Sequence, residues 1–226
     1  IYPGVKFVYQ SQTSNYLYEG GASYKQTRVN YSYDDYGNLA ETISEGDVSV
    51  TGDESTRRFE YVYNTADWIV ALPKHAYLLD AGMLKIQEKW LYYDGAASID
   101  TLPVKGFLSK DEKAVYEPVG KTLTRYNGNT YNYDQYGNLT SVTDVLGRST
   151  VTEYDTQVYA YPIKVTNTLG HISRSSYDYK TGQVLSATDP NSQSTKNIYD
   201  ALGRTTKVIG PLDTEANPGV IYEYDL

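Results

Sequence analysis

Polar and apolar residues alternate in short stretches along much of the chain. Clear examples are Leu139–Thr143, Ser149–Tyr154 and Arg57–Asn64. These stretches contain many β-branched residues and are bounded by Gly, Asp and Asn, which is the pattern of short strands joined by tight turns. Sustained helical periodicity is absent; Ala76–Lys89 comes nearest, but Gly82 interrupts it and a pair of strands fits equally well. We therefore predict an all-β chain built of antiparallel hairpins.

Two marks repeat in the second half of the chain. Tyr-Asp pairs occur at 133–134, 154–155, 177–178 and 199–200, at intervals of 21, 23 and 22 residues. A second, Asx-led mark begins at Asp144, Asn167 and Asp189, and each of these residues precedes the next Tyr-Asp pair by 10 residues. Two interleaved marks in constant phase indicate a true internal repeat.

Both marks have the chemistry of tight turns. Asp and Asn side chains bond to backbone two residues further on, and Gly supplies positive φ. A period of about 22 residues would therefore hold two strands and two turns. The structural repeat residues that we predict are Tyr33, Asp34, Gly37, Tyr133, Asp134, Gly137, Asp144, Gly147, Arg148, Tyr154, Asp155, Asn167, Gly170, Tyr177, Asp178, Gly182, Asp189, Tyr199, Asp200, Gly203 and Arg204.

Tyrosine dominates the aromatic composition, with 26 Tyr against 3 Phe and 2 Trp. Because a tyrosine combines an apolar ring with a hydroxyl that needs a partner, this usage suits a thin, half-wet sheet. Residues two apart share one face of a strand, so we expect tyrosine ladders across the sheet. A carbohydrate-binding surface is the alternative interpretation. The tyrosine pairs lie at 16 and 18, 31 and 33, 61 and 63, 131 and 133, 159 and 161, 177 and 179, and 222 and 224.

The first half of the chain matches the repeat loosely. We predict a degenerate β region over 1–120 that leads into regular repeats over 121–226, as one continuous β unit. Longer loops are predicted at 95–106 and 111–120. The chain begins at Ile1 without Met and ends in a strand-like pattern, so we expect a fragment of a larger protein.

Composition excludes several classes of function. The chain has no Cys, which removes disulfides and thiolate metal sites, and its net charge of −8 argues against nucleic acid and anionic membranes. No apolar run approaches the roughly 20 residues of a membrane span. Phosphate-loop, nucleophile-elbow and calcium-loop motifs are absent. The Asp residues mostly fill turn positions and His171 fills a repeat position, so we expect no enzyme, no cofactor and no metal site.

These motifs resemble the RHS/YD-repeat family. The family pattern, a Tyr-Asp turn, a polar strand, an Asp-x-x-Gly-Arg turn and another polar strand, is matched from Tyr133 to Arg204. Tyr92–Gly95 followed by Gly106–Lys110 looks like the stretch before the repeats in large bacterial members, such as the B component of Tc toxin complexes. No self-cleavage motif is found, and Asp189-Pro190 occupies an ordinary turn.

The resemblance implies a long antiparallel β-hairpin strip, curved or spiralling as part of a hollow shell. In bacterial members the shell encloses a C-terminal toxic polypeptide, whereas in animal teneurins it serves adhesion. Implied partners are neighbouring YD repeats of the same or a partner chain and an enclosed toxin polypeptide, with glycans on the alternative of an adhesion module. The implied location is secreted or on the bacterial cell surface.

Overall fold

A computed structural model describes residues 7–117 and 122–225, and within them it contains β-strands and no helix. The all-β prediction is confirmed. Accordingly, no helix in this described part could cross a membrane. The strands are β1 (Gln12–Tyr18), β2 (Tyr24–Tyr33), β3 (Leu39–Asp47), β4 (Ser55–Asn64), β5 (Ile69–Leu79), β6 (Lys85–Tyr93), β7 (Leu108–Glu117), β8 (Thr122–Tyr133), β9 (Leu139–Thr143), β10 (Ser149–Tyr154), β11 (Pro162–Thr166), β12 (Ile172–Tyr177), β13 (Val184–Thr188), β14 (Ser194–Tyr199), β15 (Thr205–Ile209) and β16 (Val220–Ile221).

Each strand pairs with the strands that precede and follow it in sequence, in the order β1 to β16. The pairing is antiparallel, as hairpin connections require. The hairpin strip predicted from turn spacing is therefore present. Consecutive turns therefore lie at opposite ends of the strands, with the Tyr-Asp turns at one end and the Asx-led turns at the other.

The chain divides into two compact units, Ile1–Thr130 and Tyr131–Leu226, with the boundary inside β8. The division at residue 120 stays a prediction. In the first unit the apolar core comprises Val62, Leu91 and Tyr93, packed against Leu72 and Leu108. These side chains lie on the long strands β4 to β7, which gives this unit its largest apolar contacts.

The second unit has almost no buried core. Among its described residues, only Asp155 and Ile209 are buried, at 2% and 8% exposure. Its strands β9 to β15 are five or six residues long, and nearly all their side chains are half-buried or exposed. Backbone ladders and turn hydrogen bonds must therefore hold this unit together more than apolar burial does.

The structure corrects the loop predicted at 111–120. Residues 111–117 belong to β7, while 118–120 lie outside the described residues. Charged residues made the segment resemble a loop, but their partners lie on adjacent strands. Lys89 approaches Asp111 at 3.5 Å and Arg125 pairs with Glu112. The loop at 95–106 is present, and the Ala76–Lys89 segment forms β5, a turn and β6.

The tyrosine ladder is only partly formed. Four of the seven pairs lie within single strands, namely 16 and 18 in β1, 31 and 33 in β2, 61 and 63 in β4, and 131 and 133 in β8. The other three predictions are wrong, because Tyr159, Tyr161, Tyr179, Tyr222 and Tyr224 lie in turns or outside strands. Instead, the Tyr159 ring lies beside Tyr136, and the Tyr161 ring lies beside Tyr177 and Tyr179.

Candidate functional site

The Tyr-Asp turn is held by the Asp at its start. The N–H of Asp134 donates to the carbonyl of Asn138 at 3.0 Å. In return, Asp134 Oδ1 accepts the backbone N–H groups of Tyr136 and Asn138, both at 2.9 Å, and Oδ2 accepts the Asn138 amide. Gly137 has φ +90°, a conformation that side chains with a Cβ disfavour. Asp34, Gly37 and Asn38 repeat the arrangement.

The Asx-led turns use the same geometry. The Oδ1 atoms of Asp144, Asn167 and Asp189 each accept the N–H groups two and four residues on, as does Oδ1 of Asp200 in the last Tyr-Asp turn. Where the fifth residue is Arg, its guanidinium returns to Oδ2. The predicted glycines Gly147, Gly170, Gly182 and Gly203 have φ between +77° and +82°.

The Arg148–Asp144 and Arg204–Asp200 hydrogen bonds measure 2.8 and 2.7 Å. They give a physical reason for Arg in the Asp-x-x-Gly-Arg mark. His171 occupies the same position, with its Nδ1 atom 3.5 Å from the Asn167 amide nitrogen. No catalytic partner is therefore implied by the position of His171.

Longer Tyr-Asp loops keep the same anchor. Asp155 accepts five backbone N–H groups, from residues 157 to 161, and its own N–H donates to the carbonyl of Tyr161. Asp94 accepts N–H groups from residues 104 to 107 and donates to Phe107, while Asp178 closes on Gln183. One carboxylate thus closes loops of different lengths. The prediction from repeats omitted Asp94, although the Tyr93-Asp94 pair could have indicated it.

The carboxylates of Asp144, Asp155 and Asp200 are ionised and hydrogen-bonded. Desolvation raises the pKa of Asp155, but the N–H groups around it outweigh this and hold the pKa well below its ordinary value. Hydrogen bonds from Arg148 and Arg204 likewise lower the pKa of Asp144 and Asp200. With their oxygens engaged, these groups are poorly suited to proton transfer. Within the described residues, no group of three or more His, Asp or Glu side chains could hold a metal ion.

The tyrosine before each Asp has a second role. Tyr154, Tyr177 and Tyr199 end their strands, and each hydroxyl donates to the carbonyl of the first residue of the preceding strand. The acceptors are Leu139, Pro162 and Val184, at 3.3, 3.1 and 2.8 Å. Tyr61, within β4, and Tyr93, at the end of β6, also donate to carbonyls of the preceding strand, those of Leu39 and Pro73.

The accepting carbonyls lie where the strand register shifts. Pro162 pairs with Tyr154 across a shift between Glu153 and Tyr154, and Val184 pairs with Tyr177 across the next. A bulge leaves backbone groups without a ladder partner. The tyrosine hydroxyl of one repeat therefore bonds to the backbone beside the bulge of the preceding repeat, which Phe could not do. This bond is a physical reason for Tyr at these positions.

Hydrogen bonds also join the closing residue of a Tyr-Asp turn to a later segment of the same unit. The Asn38 amide donates to the carbonyl of Val70 at 2.7 Å in the first unit. In the second unit, Asn138 donates to Tyr159 and Gln183 to Gly203, both at 2.6 Å. In the second unit, the closing residue of one Tyr-Asp turn thus bonds directly to another Tyr-Asp turn at the same end of the strands.

Aromatic rings cluster at these turns. In the first unit the Tyr36 ring lies 5.0 Å from Tyr63 and 6.2 Å from Trp68. Trp68 is 72% exposed and has φ +57°, an uncommon conformation for a bulky residue. In the second unit Tyr136 stacks on Tyr159 at 4.3 Å, and Tyr159 also has positive φ. The sequence pattern did not reveal either cluster.

Sequence reasoning also missed a buried polar cluster in the first unit. His75 is 8% exposed, with Nε2 3.1 Å from Glu88 and Nδ1 3.4 Å from Glu60. Its ring stacks on Trp90 at 5.4 Å. Glu60, His75 and Trp90 are cross-strand partners in register on β4, β5 and β6. Lys85 adds a cation that pairs with Glu88.

No family model and no curated protein matches the chain. Solved structures do match. A crystal structure of TcdB2-TccC3 superposes with TM-score 0.63 over 88% of this chain, at 12% identity. A Photorhabdus luminescens Tc holotoxin pore gives TM-score 0.63 over 88%, at 13% identity. A crystal structure of TcdB2-TccC3 without its hypervariable C-terminal region superposes with TM-score 0.62 over 88% of this chain.

The fold is shared with Tc toxin structures. The motif resemblance named the same toxin complexes, and the likeness supports an RHS-like fold. At this identity the likeness concerns the fold alone. The chain spans 14% of the length of these toxin chains.

Proposed function

We propose that the chain is a structural segment of a β-sheet shell, in a secreted or surface-exposed bacterial protein that encloses or delivers a toxin polypeptide. The observation that carries this proposal is the likeness to Tc toxin chains over 88% of the sequence. The proposed role is non-enzymatic. In support of this, the carboxylate oxygens of the repeated Asp residues accept hydrogen bonds from backbone N–H groups.

A sheet that encloses a polypeptide must satisfy its own backbone hydrogen-bonding groups. Turn anchors, tyrosine hydroxyls and amide bonds between turns each satisfy backbone groups within the strip. Neighbouring YD repeats would continue the pairing at the edge strands, since an unpaired strand edge otherwise invites association. The proposed partners are therefore further repeats and the enclosed polypeptide.

Protease protection tests the proposal. The longer protein that contains this chain is digested with trypsin, and the fate of the polypeptide that follows the repeats is monitored by mass spectrometry. We expect that polypeptide to resist digestion in the intact protein and to be degraded when it is produced alone. Equal digestion rates in the two forms would contradict containment.

Two Asp→Asn variants, one at a loop anchor and one at an exposed position, provide a matched comparison. Asp155→Asn weakens a loop anchor that accepts five N–H groups, whereas Asp35→Asn alters an exposed side chain in the Asp34 turn. We expect the first variant to increase digestion of the enclosed polypeptide and the second to leave it unchanged.

A glycan-binding module is the second candidate, favoured by the cluster of Tyr36, Tyr63 and Trp68. Exposed rings offer flat apolar faces to the C–H groups of a sugar, and a protein exposes Trp at positive φ at a cost in strain. A glycan array tests this function. Signals lost in Trp68→Ala and kept in Tyr18→Ala would support it, because Tyr18 is comparably exposed but lies outside the cluster. An array without signal for the unchanged protein would rule it out.

A further inference from the structure

One face of the first unit contains a hollow of about 430 Å³. It lies over strands β4 to β7, and its floor is apolar, with Ala76 at the centre and Leu78 and Leu91 beside it. Ala76 lies opposite Phe59 on β4 and Lys89 on β6. The small side chain at a central position leaves the space that its larger neighbours surround.

Three cations border this apolar floor. Arg57 lies on β4, Lys89 on β6 and Lys113 on β7, all among the lining residues. Lys89 is 3.5 Å from the buried carboxylate of Asp111. Among the described residues, Arg57 and Lys113 form no ion pair. Glu88 also lines the hollow, but its carboxylate pairs with Lys85, so no carboxylate in the described part of the chain pairs with Arg57 or Lys113.

The opposite face of the same strands behaves differently. There Arg58 pairs with Glu41, Lys85 with Glu88, and Arg125 with Glu112. Ion pairing is thus the rule on that face and the exception around the hollow. Because the whole chain carries a net charge of −8, unpaired cations do not follow from a general shortage of carboxylates.

Lys89 and Lys113 also face each other directly across β6 and β7. Like charges at opposed positions of an antiparallel pair destabilise the sheet. A local arrangement that costs stability without a structural gain is typical of functional sites. An anionic ligand would remove this repulsion and would find apolar surface between the cations.

We propose that the hollow binds an extended polypeptide segment that presents an acidic, an apolar and a second acidic side chain at alternate positions. Strands β4 and β7 are three inter-strand spacings apart, or about 14 Å. Residues i and i+4 of an extended chain are separated by about the same distance. Such a segment, lying across the strands, places its carboxylates at Arg57 and at the Lys89–Lys113 pair, and its apolar side chain over Ala76.

The enclosed polypeptide of the proposed shell is the natural ligand, so this identification rests on the proposed function. Two separated cationic poles favour a segment with two carboxylates over a ligand with a single anionic headgroup. Coulomb attraction at this exposed surface weakens with salt, so binding is salt-dependent.

A labelled peptide tests the site in the 226-residue chain. The peptide Glu-Ser-Phe-Ser-Glu is titrated and its fluorescence anisotropy followed, with Lys-Ser-Phe-Ser-Lys as the charge-reversed control. We expect saturable binding of the first peptide only. Arg57→Gln and Lys113→Gln should each weaken binding by about tenfold, the usual effect of losing a charged contact of about 1.4 kcal/mol. Lys180→Gln, an exposed lysine in a turn of the second unit, should leave it unchanged.

Thermal unfolding separates lost binding from lost folding. Lys113→Gln relieves the repulsion with Lys89, so its melting temperature should equal or exceed that of the unchanged protein. Failure of the acidic peptide to saturate, or equal weakening by Lys180→Gln, would overturn the site. If protease protection persists without peptide binding, the site alone is wrong; if peptide binding persists without protection, the containment role is wrong and the site stands.

Discussion

The hydroxyl of Tyr93 donates a hydrogen bond to the carbonyl oxygen of Pro73 at 2.7 Å. Tyr93 is 8% exposed, and Pro73 pairs with Tyr61 next to a register shift between β4 and β5. The bond therefore joins the core of the first unit to a backbone carbonyl beside a register shift. The tyrosine hydroxyls of the second unit show that the same bond recurs without a comparable core.

Replacing Tyr93 by Phe removes this hydroxyl, so the carbonyl of Pro73 loses the hydrogen bond that it accepts from Tyr93. We expect a loss of about 1–2 kcal/mol in the free energy of unfolding, as for other buried groups deprived of a partner. Urea denaturation measures the change. Tyr18→Phe is the control, because Tyr18 is 58% exposed, and it should change the free energy by less than about 0.5 kcal/mol.

Alkaline pH should reveal the same tyrosine. Burial raises the pKa of Tyr93 to about 12. An unfolded tyrosine titrates near 10, so its contribution is complete below about pH 10 and is lost as the pH rises toward 12. We expect Tyr93→Phe to flatten the fall in urea midpoint over this window. An unchanged slope would show that Tyr93 titrates normally in the folded protein.

Unfolding at acid pH should reveal the contribution of Asp155 to stability. Its pKa is lowered in the folded protein, so its contribution is present above the unfolded value near 4 and is lost as the pH falls below it. Asp155→Asn should lower the melting temperature at neutral pH and reduce the acid sensitivity of unfolding. Asp35→Asn, which changes an exposed carboxylate, should alter neither. Equal acid sensitivity in the Asp155 variant and the unchanged protein would contradict the anchor.

Two glycines should respond to substitution for different reasons. Gly147 has φ +77° and no atom within 4 Å of an added Cβ, so Gly147→Ala should cost about 1 kcal/mol through backbone strain alone. Asn tolerates this conformation better than Ala, so Gly147→Asn should recover part of the loss. In Gly128→Ala the added Cβ would overlap the buried Asp111, and we expect a larger loss. Thermal melts of the three variants provide the ranking.

The repeat was predictable because its chemistry is local. Asp134 and Gly137 specify a turn through bonds within five residues, and Tyr154 ends a strand where alternation ends. Turn spacing therefore sufficed to indicate the hairpin strip. The hydroxyl bond from Tyr177 to Pro162 required knowledge of strand register, which depends on a bulge.

The site features depended on non-local pairing and so escaped prediction. Asp111 resembled a loop residue until Lys89 on the adjacent strand supplied a partner. Tyr136 and Tyr159 meet because Asp155 folds its loop back, and no periodicity of the sequence marks that contact. The hollow around Ala76 likewise forms from residues on four strands, which only the register of those strands brings together.

The Asp-anchored loop allows length and sheet geometry to vary independently. Asp34 closes on Asn38 and Asp94 closes on Phe107 through the same N–H to carbonyl bond, although the second loop is nine residues longer. The part of this loop before the buried Pro103 is thus a natural position for grafting a foreign peptide, since one carboxylate already joins the two ends of the loop. Related chains could diversify there by insertion, with no strand shifted out of register.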